Sequence, residues 1–405
     1  MSNIDTAGIL SQFEISGMVR EVKPLGNGLI NDTYRVITEP DDAPDYVLQR
    51  INNAIFRDVD LLQHNIEVVT AHIRRKLEAA VTPDIGRRVL QFVKARSGKT
   101  YYRDEAGRYW RVMVFIPDSV THEAVTPEHA YDCGKAFGNF EKMLVEVPEQ
   151  LGETIPDFHN MELRMWQLRE AVQNDAACRL AQVRDIVDEL ERDADEMCQA
   201  ERLYREGRLP KRICHCDTKV NNMLFDRDGQ VLCVIDLDTV MPSFIFSDYG
   251  DFLRTAANFT AEDDPDLSRV GFNEEIFKAF TTGYLESARD FLTPVEVELL
   301  PYAVALFPFM QCVRFLTDYL NGDTYYKIKY PTHNLDRTRN QLALYRTVRR
   351  HNDAISTFIH TLLLPQKQPP ATQSKNNSNN CYNFLMIKLL QLFELSLILS
   401  ARMPL

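Results

Sequence analysis

The sequence predicts an α+β protein with two lobes, a small β-rich N-terminal lobe with one helix and a larger, mainly helical C-terminal lobe. Up to residue 116, runs of β-branched and aromatic residues alternate with turn-forming stretches, and one segment carries apolar residues at helical spacing. Beyond residue 126 the helical spacing dominates. We therefore place an N-terminal lobe at residues 1–116, a hinge at 117–126 and a C-terminal lobe at 127–364.

About five strands and one helix are predicted in the N-terminal lobe. A glycine turn lies within VREVKPLGNGLINDTYRVIT, and the turn-forming EPDDAPD precedes the strand-like YVLQRI. Further strand-like arms follow in RVLQFVK, KTYYR and RYWRVMVFI. The helix is predicted between Asp58 and Ala80, because five apolar residues there share one helical face: Leu62, Ile66, Val69, Ile73 and Leu77.

The C-terminal lobe is predicted to be helical on both sides of a β-like segment. Its first helix carries an apolar stripe of Ala130, Cys133, Phe137, Phe140 and Leu144. The stretches MLFD and VLCVID flank the turn RDGQ, and helical patterning returns from Asn273 to Leu364. The last segment, 365–405, reads as a disordered linker followed by an apolar tail. Because Lys388 and Glu394 interrupt that tail, membrane insertion is not expected.

Charge and cysteine content exclude several classes of protein. The chain has 405 residues, a net charge of −12 and a pI near 5.3, so it lacks the basic surface that nucleic-acid binding requires. Its eight cysteines are scattered, which argues against a four-thiolate zinc site and for reduced thiols. The N-terminus lacks the pattern of a secretion signal, and we expect a cytoplasmic protein, either a monomer or a homodimer.

The strongest motif is the eight-residue segment HCDTKVNN, from His215 to Asn222. It fits the H-x-D-x-x-x-x-N spacing of a phosphoryl-transfer loop. In such a loop one carboxylate takes the proton of the acceptor hydroxyl, and an amide oxygen binds Mg²⁺ without adding charge beside the phosphates. The spacing gives these roles to Asp217 and Asn222. The alternative is a polar turn that bonds its own backbone.

A second acidic motif follows, where Asp236 ends the apolar run VLCVI. A metal-binding aspartate occupies this place in protein kinases. Because a hairpin separates the two motifs, we expect Asp217, Asn222 and Asp236 to converge at the ends of adjacent strands. The alternative for Asp236 is a turn former or helix cap.

Weaker signals lie in the N-terminal lobe. Gly26 and Gly28 would let backbone N–H groups approach phosphates, although the same residues also suit an ordinary hairpin turn. Arg50, on the strand YVLQRI, occupies the place of the phosphate-pairing lysine of protein kinases. Glu67 on the following helix is its candidate ion-pair partner. The alternative is that Arg50 and Glu67 are both solvated.

Seven segments together resemble the aminoglycoside phosphotransferase superfamily, and within it most resemble the bacterial N-acetylhexosamine 1-kinases. They are GNGLINDTYRV, YVLQRIN, FIPDSVT, HCDTKVNNMLFD, CVIDLDTVMPS, DYGDFLR and RFLTDYLNGDTYYK. The resemblance covers about residues 15–362. It implies a bilobal protein-kinase-like fold that uses ATP and Mg²⁺ to phosphorylate the anomeric hydroxyl of GlcNAc or GalNAc.

By the same resemblance, Asp217 would be the catalytic base, and Asn222 and Asp236 would be the Mg²⁺ ligands. The loop that covers the phosphates would include Gly26, Gly28, Asn31 and Thr33. Cys216 departs from the family pattern, in which a small polar residue is expected, but this position points away from the proton transfer in related loops.

Candidate residues for binding the acceptor are Arg254, close behind the metal motif, and Arg314, Asp318 and Tyr319 in RFLTDYL. Carboxylates, arginines and aromatic faces are the groups that bind sugars. The alternative for Arg314 and Asp318 is an ion pair on a helix surface. Two further hypotheses stay open, a kinase for another acceptor such as an aminoglycoside, choline or homoserine, and a pseudokinase that binds nucleotide without turnover.

Overall fold

A computed structural model of the chain describes residues 5–26 and 30–364. Gly28 and the predicted linker and tail at 365–405 lie outside the described residues. Within them, an antiparallel sheet occupies the N-terminal region and helices dominate the C-terminal region, which confirms the predicted α+β bilobal fold.

The N-terminal region is built on a six-stranded sheet with the order β1-β2-β3-β6-β4, and β5 pairs with the end of β6. The strands are β1 (Met18–Pro24), β2 (Asp32–Glu39), β3 (Tyr46–Ile51), β4 (Phe92–Val93), β5 (Tyr102–Arg103) and β6 (Tyr109–Val114). Every neighbouring pair is antiparallel. The segment RVLQFVK contributes only the two paired residues of β4, fewer than its sequence suggests.

Two helices, α1 (Thr6–Leu10) and α2 (Val59–Ala79), are associated with different hydrophobic clusters of this sheet. Because side chains alternate along a strand, Tyr46 and Leu48 of β3 pack with α1, whereas Val47 and Ile51 pack with α2. Helix α2 is the predicted helix, and α1 was not predicted because five residues are too few to show a helical period.

Helices form most of the C-terminal region. They are α3 (Pro127–Leu144), α4 (Met161–Asn174), α5 (Arg184–Met197), α6 (Gln199–Arg205), α7 (Phe246–Ala256), α8 (Glu274–Ala288), α9 (Pro294–Glu298), α10 (Leu300–Leu320), α11 (His333–Arg350) and α12 (Asn352–Leu363). Two small hairpin-like pairs lie between α6 and α7: β7 (Arg212–Cys214) with β10 (Met241–Ser243), and β8 (Met223–Phe225) with β9 (Val231–Val234).

Helix α10 is the centre of this region and packs against α4, α7 and α11. Among the described residues it is one helix whose length and apolar composition would suit a membrane span. Since 83% of its apolar window is buried inside the protein, α10 is accounted for as a core helix.

Helices α3 and α8 approach each other closely because glycines line their contact. A Cβ atom on Gly134 would lie 2.1 Å from the carbonyl oxygen of Phe280, and one on Gly283 would lie 2.0 Å from that of Tyr131. No side chain larger than hydrogen fits at either position without moving a backbone. The close approach fixes the C-terminal half of α3 behind the motif that begins at His215.

Candidate active site

The segment after β7 is held by one buried carboxylate. Asp248 on α7 accepts the backbone N–H groups of His215 at 2.8 Å and of Cys216 at 2.7 Å, one on each oxygen. Its own backbone carbonyl accepts the hydroxyl of Thr218 at 2.7 Å. The ring of His215 is buried and makes a 2.8 Å contact between Nε2 and the carbonyl oxygen of Ile235. Both sequence motifs are therefore fixed to the same framework.

Asp217 lies beside a cation and an amide. Lys219 Nζ is 2.5 Å from Asp217 Oδ1, and the Asn222 amide donates to Oδ2 at 3.2 Å and to the backbone oxygen of Asp217 at 2.8 Å. Burial opposes the charge on Asp217, but Lys219, His215 and Asn222 outweigh it and lower the pKa of this carboxyl. Asp217 is therefore ionised at neutral pH, as a general base must be.

Asp236 follows β9 with φ near 60°, and its neighbour Ile235 donates its backbone N–H to the carbonyl oxygen of Asn222 at 2.9 Å. This bond joins the two motifs, so the structure brings Asp217, Asn222 and Asp236 together. Asp236 is exposed, yet desolvation by its surroundings and the carboxylates of Asp238 and Asp217 raise its pKa to about 6. Clustered carboxylates beside a side-chain amide oxygen are hard oxygen donors of the kind that Mg²⁺ prefers, so these residues fit the metal.

The predicted phosphate loop is anchored by Asn31. Its amide donates to Asp238 Oδ2 at 2.7 Å, and its oxygen accepts the backbone N–H of Asn52 at 3.0 Å. Gly26 adopts a φ of +70° with no atom of the described residues near the place of a Cβ, and the Thr33 hydroxyl accepts from Gln49 at 3.0 Å. The loop thus begins and ends next to the sheet, and Asn31 connects it to the segment that follows Asp236.

Arg50 and Glu67 do not form the predicted ion pair. Arg50 NH2 is 2.6 Å from Asp32 Oδ2, and Glu67 Oε1 accepts the hydroxyl of Thr100 at 2.5 Å. The reason is strand alternation, because Arg50 shares its face of β3 with Leu48, away from α2, whereas Gln49 faces α2.

A buried cation on the α2 side of the sheet is Arg111 of β6, a residue that sequence reasoning missed. Its NH2 lies 2.6 Å from Asp238 Oδ1, and both side chains are almost inaccessible to solvent. Its Nε and NH2 donate to Gln49 Oε1 at 3.0 and 2.8 Å, and NH1 donates to Gln63 Oε1 at 3.3 Å. The available signal was an arginine between apolar residues in RYWRVMV, at a position where a strand faces the core.

Three guanidinium groups lie near the ring of His159, and we name them the arginine wall: Arg164, Arg254 and Arg314. Arg254 is buried and paired with Asp251 Oδ1 at 3.0 Å and with Glu262 Oε2 at 2.8 Å. Burial first, and then all three arginines, lower the pKa of His159 well below its usual range. His159 is therefore neutral, and within the wall Arg164 and Arg314 pair with no carboxylate among the described residues.

Arg314 lies against aromatic rings. Its guanidinium carbon is 5.5 Å from the ring centre of Phe158 and 5.8 Å from that of Tyr326, and NH1 donates to Gln311 at 2.7 Å. The Tyr326 hydroxyl is buried with no hydrogen-bond partner among the described residues. Arg164 Nε is likewise buried and unpartnered there. This part of the wall retains donors for a bound molecule.

Asp318 and Tyr319 make contacts elsewhere. Asp318 does not pair with Arg314. It accepts four N–H groups, from the backbones of Thr324, Tyr325 and Tyr326 and from the side chain of Asn334, at 2.8 to 2.9 Å. The ring of Tyr319 lies under Arg179, with its centre 4.4 Å from the guanidinium carbon, and its hydroxyl contacts Gln182 at 3.2 Å. Since their polar atoms are already engaged, neither residue is free to bind an acceptor as the sequence suggested.

Solved structures of related shape support the fold. An aminoglycoside phosphotransferase from Alicyclobacillus acidocaldarius is 14% identical, with a TM-score of 0.58, and the match covers 89% of this chain and 98% of that one. A microcompartment-associated aminopropanol kinase is 17% identical with a TM-score of 0.53, covering 86% and 97%. An amicoumacin kinase in complex with AMP-PNP, Ca²⁺ and Ami is 15% identical with a TM-score of 0.50, covering 89% and 97%.

A family model extends over most of the region that contains these residues. The APH model, described as the phosphotransferase enzyme family, matches residues 21–289. That range includes the sheet, the segment that carries Asp217 and Asn222, and Asp236. The match covers more than half of the chain, and the chain therefore belongs to the phosphotransferase enzyme family.

Proposed function

We propose that this protein is a kinase that uses ATP and Mg²⁺ to phosphorylate the anomeric hydroxyl of an N-acetylhexosamine. The observation that carries the proposal is that Asp217, Asn222 and Asp236 lie on two segments joined by a hydrogen bond. One carboxylate is held ionised, and an amide and a second carboxylate lie beside it. This is the minimum set that phosphoryl transfer to a hydroxyl requires.

At the nucleotide end, Asn222 and Asp236 would hold Mg²⁺, which supplies positive charge against the phosphate oxygens. The amicoumacin kinase complex, with AMP-PNP and Ca²⁺, supports a nucleotide and a divalent cation in this fold. The segment from Gly26 to Thr33 would cover the phosphates, and Asn31 would keep that cover in register with the metal residues through Asp238.

At the acceptor end, the charge of the arginine wall favours a neutral acceptor with oxygen groups over a cationic one. Aminoglycosides and choline are cations, and the guanidinium groups of Arg164 and Arg314, which pair with no carboxylate among the described residues, would repel them. Arg314 offers N–H donors beside the rings of Phe158 and Tyr326. A sugar ring with an acetamido carbonyl and hydroxyl groups suits such a surface, because it provides acceptors for arginine and an apolar face for the rings.

Asp217 would accept the proton of the reacting hydroxyl. The anomeric hydroxyl is the most acidic hydroxyl of a free sugar, so a carboxylate needs less driving force there than at C6. Lys219 Nζ, 2.5 Å from Asp217 Oδ1, keeps Asp217 ionised until the acceptor arrives. Fixing the ring from the side of the arginine wall would hold this hydroxyl near the carboxylate, which is how positioning contributes to rate.

The test is ATP consumption with a panel of acceptors: GlcNAc, GalNAc, kanamycin, choline and homoserine. We expect stimulation by the N-acetylhexosamines, a 1-phosphate product by phosphorus NMR, and no reaction with 1-O-methyl GlcNAc. A 6-phosphate product, or phosphorylation of the methyl glycoside, would contradict the anomeric assignment. Stimulation by a cationic acceptor would overturn the charge argument, and ATP binding without stimulation by any acceptor would favour the pseudokinase hypothesis.

A further inference from the structure

Three buried side chains meet directly behind the segment that carries Asp217. They are Glu141 on α3, Cys214 at the end of β7 and Asp248 on α7, and one carboxylate oxygen of each acid and the sulfur of Cys214 lie within 4.8 Å of one another. At most 2% of any of these residues is exposed. Two carboxylates therefore share one buried space.

The donors around this space account for Asp248 but not for Glu141. Asp248 receives one backbone N–H on each oxygen, from His215 and Cys216. Glu141 Oε2 accepts the hydroxyl of Tyr284 at 2.6 Å, but Oε1 is buried with no donor among the described residues. The Cys214 thiol points its hydrogen elsewhere, to the carbonyl oxygen of Phe244 at 3.4 Å.

Among the described residues, no lysine or arginine forms an ion pair with either carboxylate. The guanidinium of Arg212 is instead paired with Glu296 at 2.5 and 2.7 Å. Both ring nitrogens of His215 are engaged elsewhere, because Nδ1 accepts the backbone N–H of Asp217 at 3.3 Å and Nε2 faces the carbonyl oxygen of Ile235. Two adjacent buried carboxylates without a counter-ion cannot both be ionised.

We propose that Glu141 is a positioning residue. It is a neutral carboxylic acid whose O–H group donates a hydrogen bond to Asp248 and so fixes the segment that carries Asp217. The proton belongs on Glu141 because both oxygens of Asp248 already accept backbone N–H groups, whereas Glu141 has a free oxygen. Burial and the charge of Asp248 raise the pKa of Glu141 well above its usual range, in agreement with this geometry. The result is a chain of hydrogen bonds from Tyr284 through Glu141 and Asp248 to the backbone beside Asp217.

The helix contact keeps this chain in place. A Cβ atom on Gly138 would lie 2.7 Å from the carbonyl oxygen of Tyr284, so α3 and α8 touch through their backbones one turn from Glu141. Glu141 and Tyr284 therefore have fixed positions relative to each other. A side chain with the shape of glutamate and a donor on its free end is what Asp248 requires.

The first experiment measures the proton without turnover. Infrared spectra of the wild type should contain a C=O stretching band of a buried carboxylic acid that is absent from Glu141→Gln and present in Glu128→Gln, a control on the exposed end of α3. Persistence of the band in Glu141→Gln would overturn the proposal. So would a stoichiometric metal in the purified protein that is lost in Glu141→Gln, because the three side chains would then be metal ligands.

The second experiment rests on the proposed function and measures kcat. Glu141→Gln retains a donor to Asp248 and an acceptor for Tyr284, so kcat should stay within about twofold of wild type, whereas Glu141→Leu should lower it by about 10- to 100-fold with little change in KM for ATP. Equal losses in both variants would overturn the positioning role. If Glu141→Leu does not fold, the infrared comparison decides alone, and if no acceptor is phosphorylated, the proposed function fails while the infrared result still stands.

Discussion

The segment around Asp217 and the arginine wall are built differently. Asp217, Lys219 and Asn222 contact one another within six residues of sequence. Arg254 and Arg314, in contrast, lie on separate helices, and Asp318 contacts backbone groups beyond the end of its own helix. The chemistry of the first region is local in sequence, whereas the second region depends on packing. Mutations should therefore act mainly on rate in the first region and divide between binding and stability in the second.

The largest expected effect is on kcat, in Asp217→Asn. The amide cannot accept the hydroxyl proton, so kcat should fall by about 10²- to 10⁴-fold. ATP affinity by calorimetry and the melting temperature should change little, because the Asn222 contact to the backbone oxygen of Asp217 remains. Asp228→Asn, at an exposed turn, is the control. Turnover by Asp217→Asn within about threefold of wild type would remove Asp217 from the mechanism.

The next effect separates two Arg–Asp pairs of the same sheet. Arg111→Met should lower the free energy of unfolding by about 3 to 5 kcal/mol, because it leaves Asp238 buried without its cation. Arg50→Met should lower it by about 1 kcal/mol or less, since Arg50 and Asp32 are 41% and 46% exposed. Urea unfolding of the two variants measures the difference. Similar losses would mean that the buried pair is not needed to connect β6 to the segment after Asp236.

A third comparison lies within helix α10. Arg314→Ala should reduce kcat/KM for the sugar by about 10- to 100-fold and leave KM for ATP unchanged, because it removes a donor from the arginine wall. Asp318→Asn should instead lower the free energy of unfolding by about 1 to 3 kcal/mol, since an amide cannot accept all four N–H groups. Arg350→Ala, on the exposed end of α11, is the control for Arg314. A sugar-specific loss in Asp318→Asn without loss of stability would return Asp318 to the acceptor site.

The parts that the sequence predicted are those determined by short-range patterns. Helix α2 has five apolar residues on one face and an Asp58 cap, which accepts the backbone N–H of Leu61 at 2.9 Å. The predicted convergence of Asp217, Asn222 and Asp236 followed from a hairpin that holds the motifs together. Their roles in catalysis stay predictions for the experiments above.

The parts that the sequence did not predict depend on which face a residue occupies and on distant partners. Arg50 and Gln49 are adjacent, and a shift of one residue along a strand exchanges the two faces of the sheet. Nothing in the local sequence of Arg111 reveals that its partner is Asp238. Glu141 is one of several charged residues on α3, and only the α3–α8 contact shows that it is the buried one.

The smallest expected effect concerns pH and Glu201 on α6. Burial and the nearby carboxylates of Glu162 and Asp157 raise the pKa of Glu201 from 4.5 to about 7, although Lys211 opposes the shift. The folded state therefore binds this proton more tightly than the unfolded state. The stabilisation that results is complete below the ordinary value of 4.5 and is lost as the pH rises through about 7.

Glu201→Gln removes this titration, so it should melt at the same temperature as wild type near pH 4.5 and higher at pH 8, by about 1 to 2 °C. Melting curves between these two pH values measure the difference, and Glu170→Gln, an exposed residue on α4, should show no such trend. An equal effect of Glu201→Gln at both pH values would mean that Glu201 titrates normally. A pH-dependent gain in melting temperature without any change in kcat would mean that the charge of Glu201 affects folding and not binding of the acceptor.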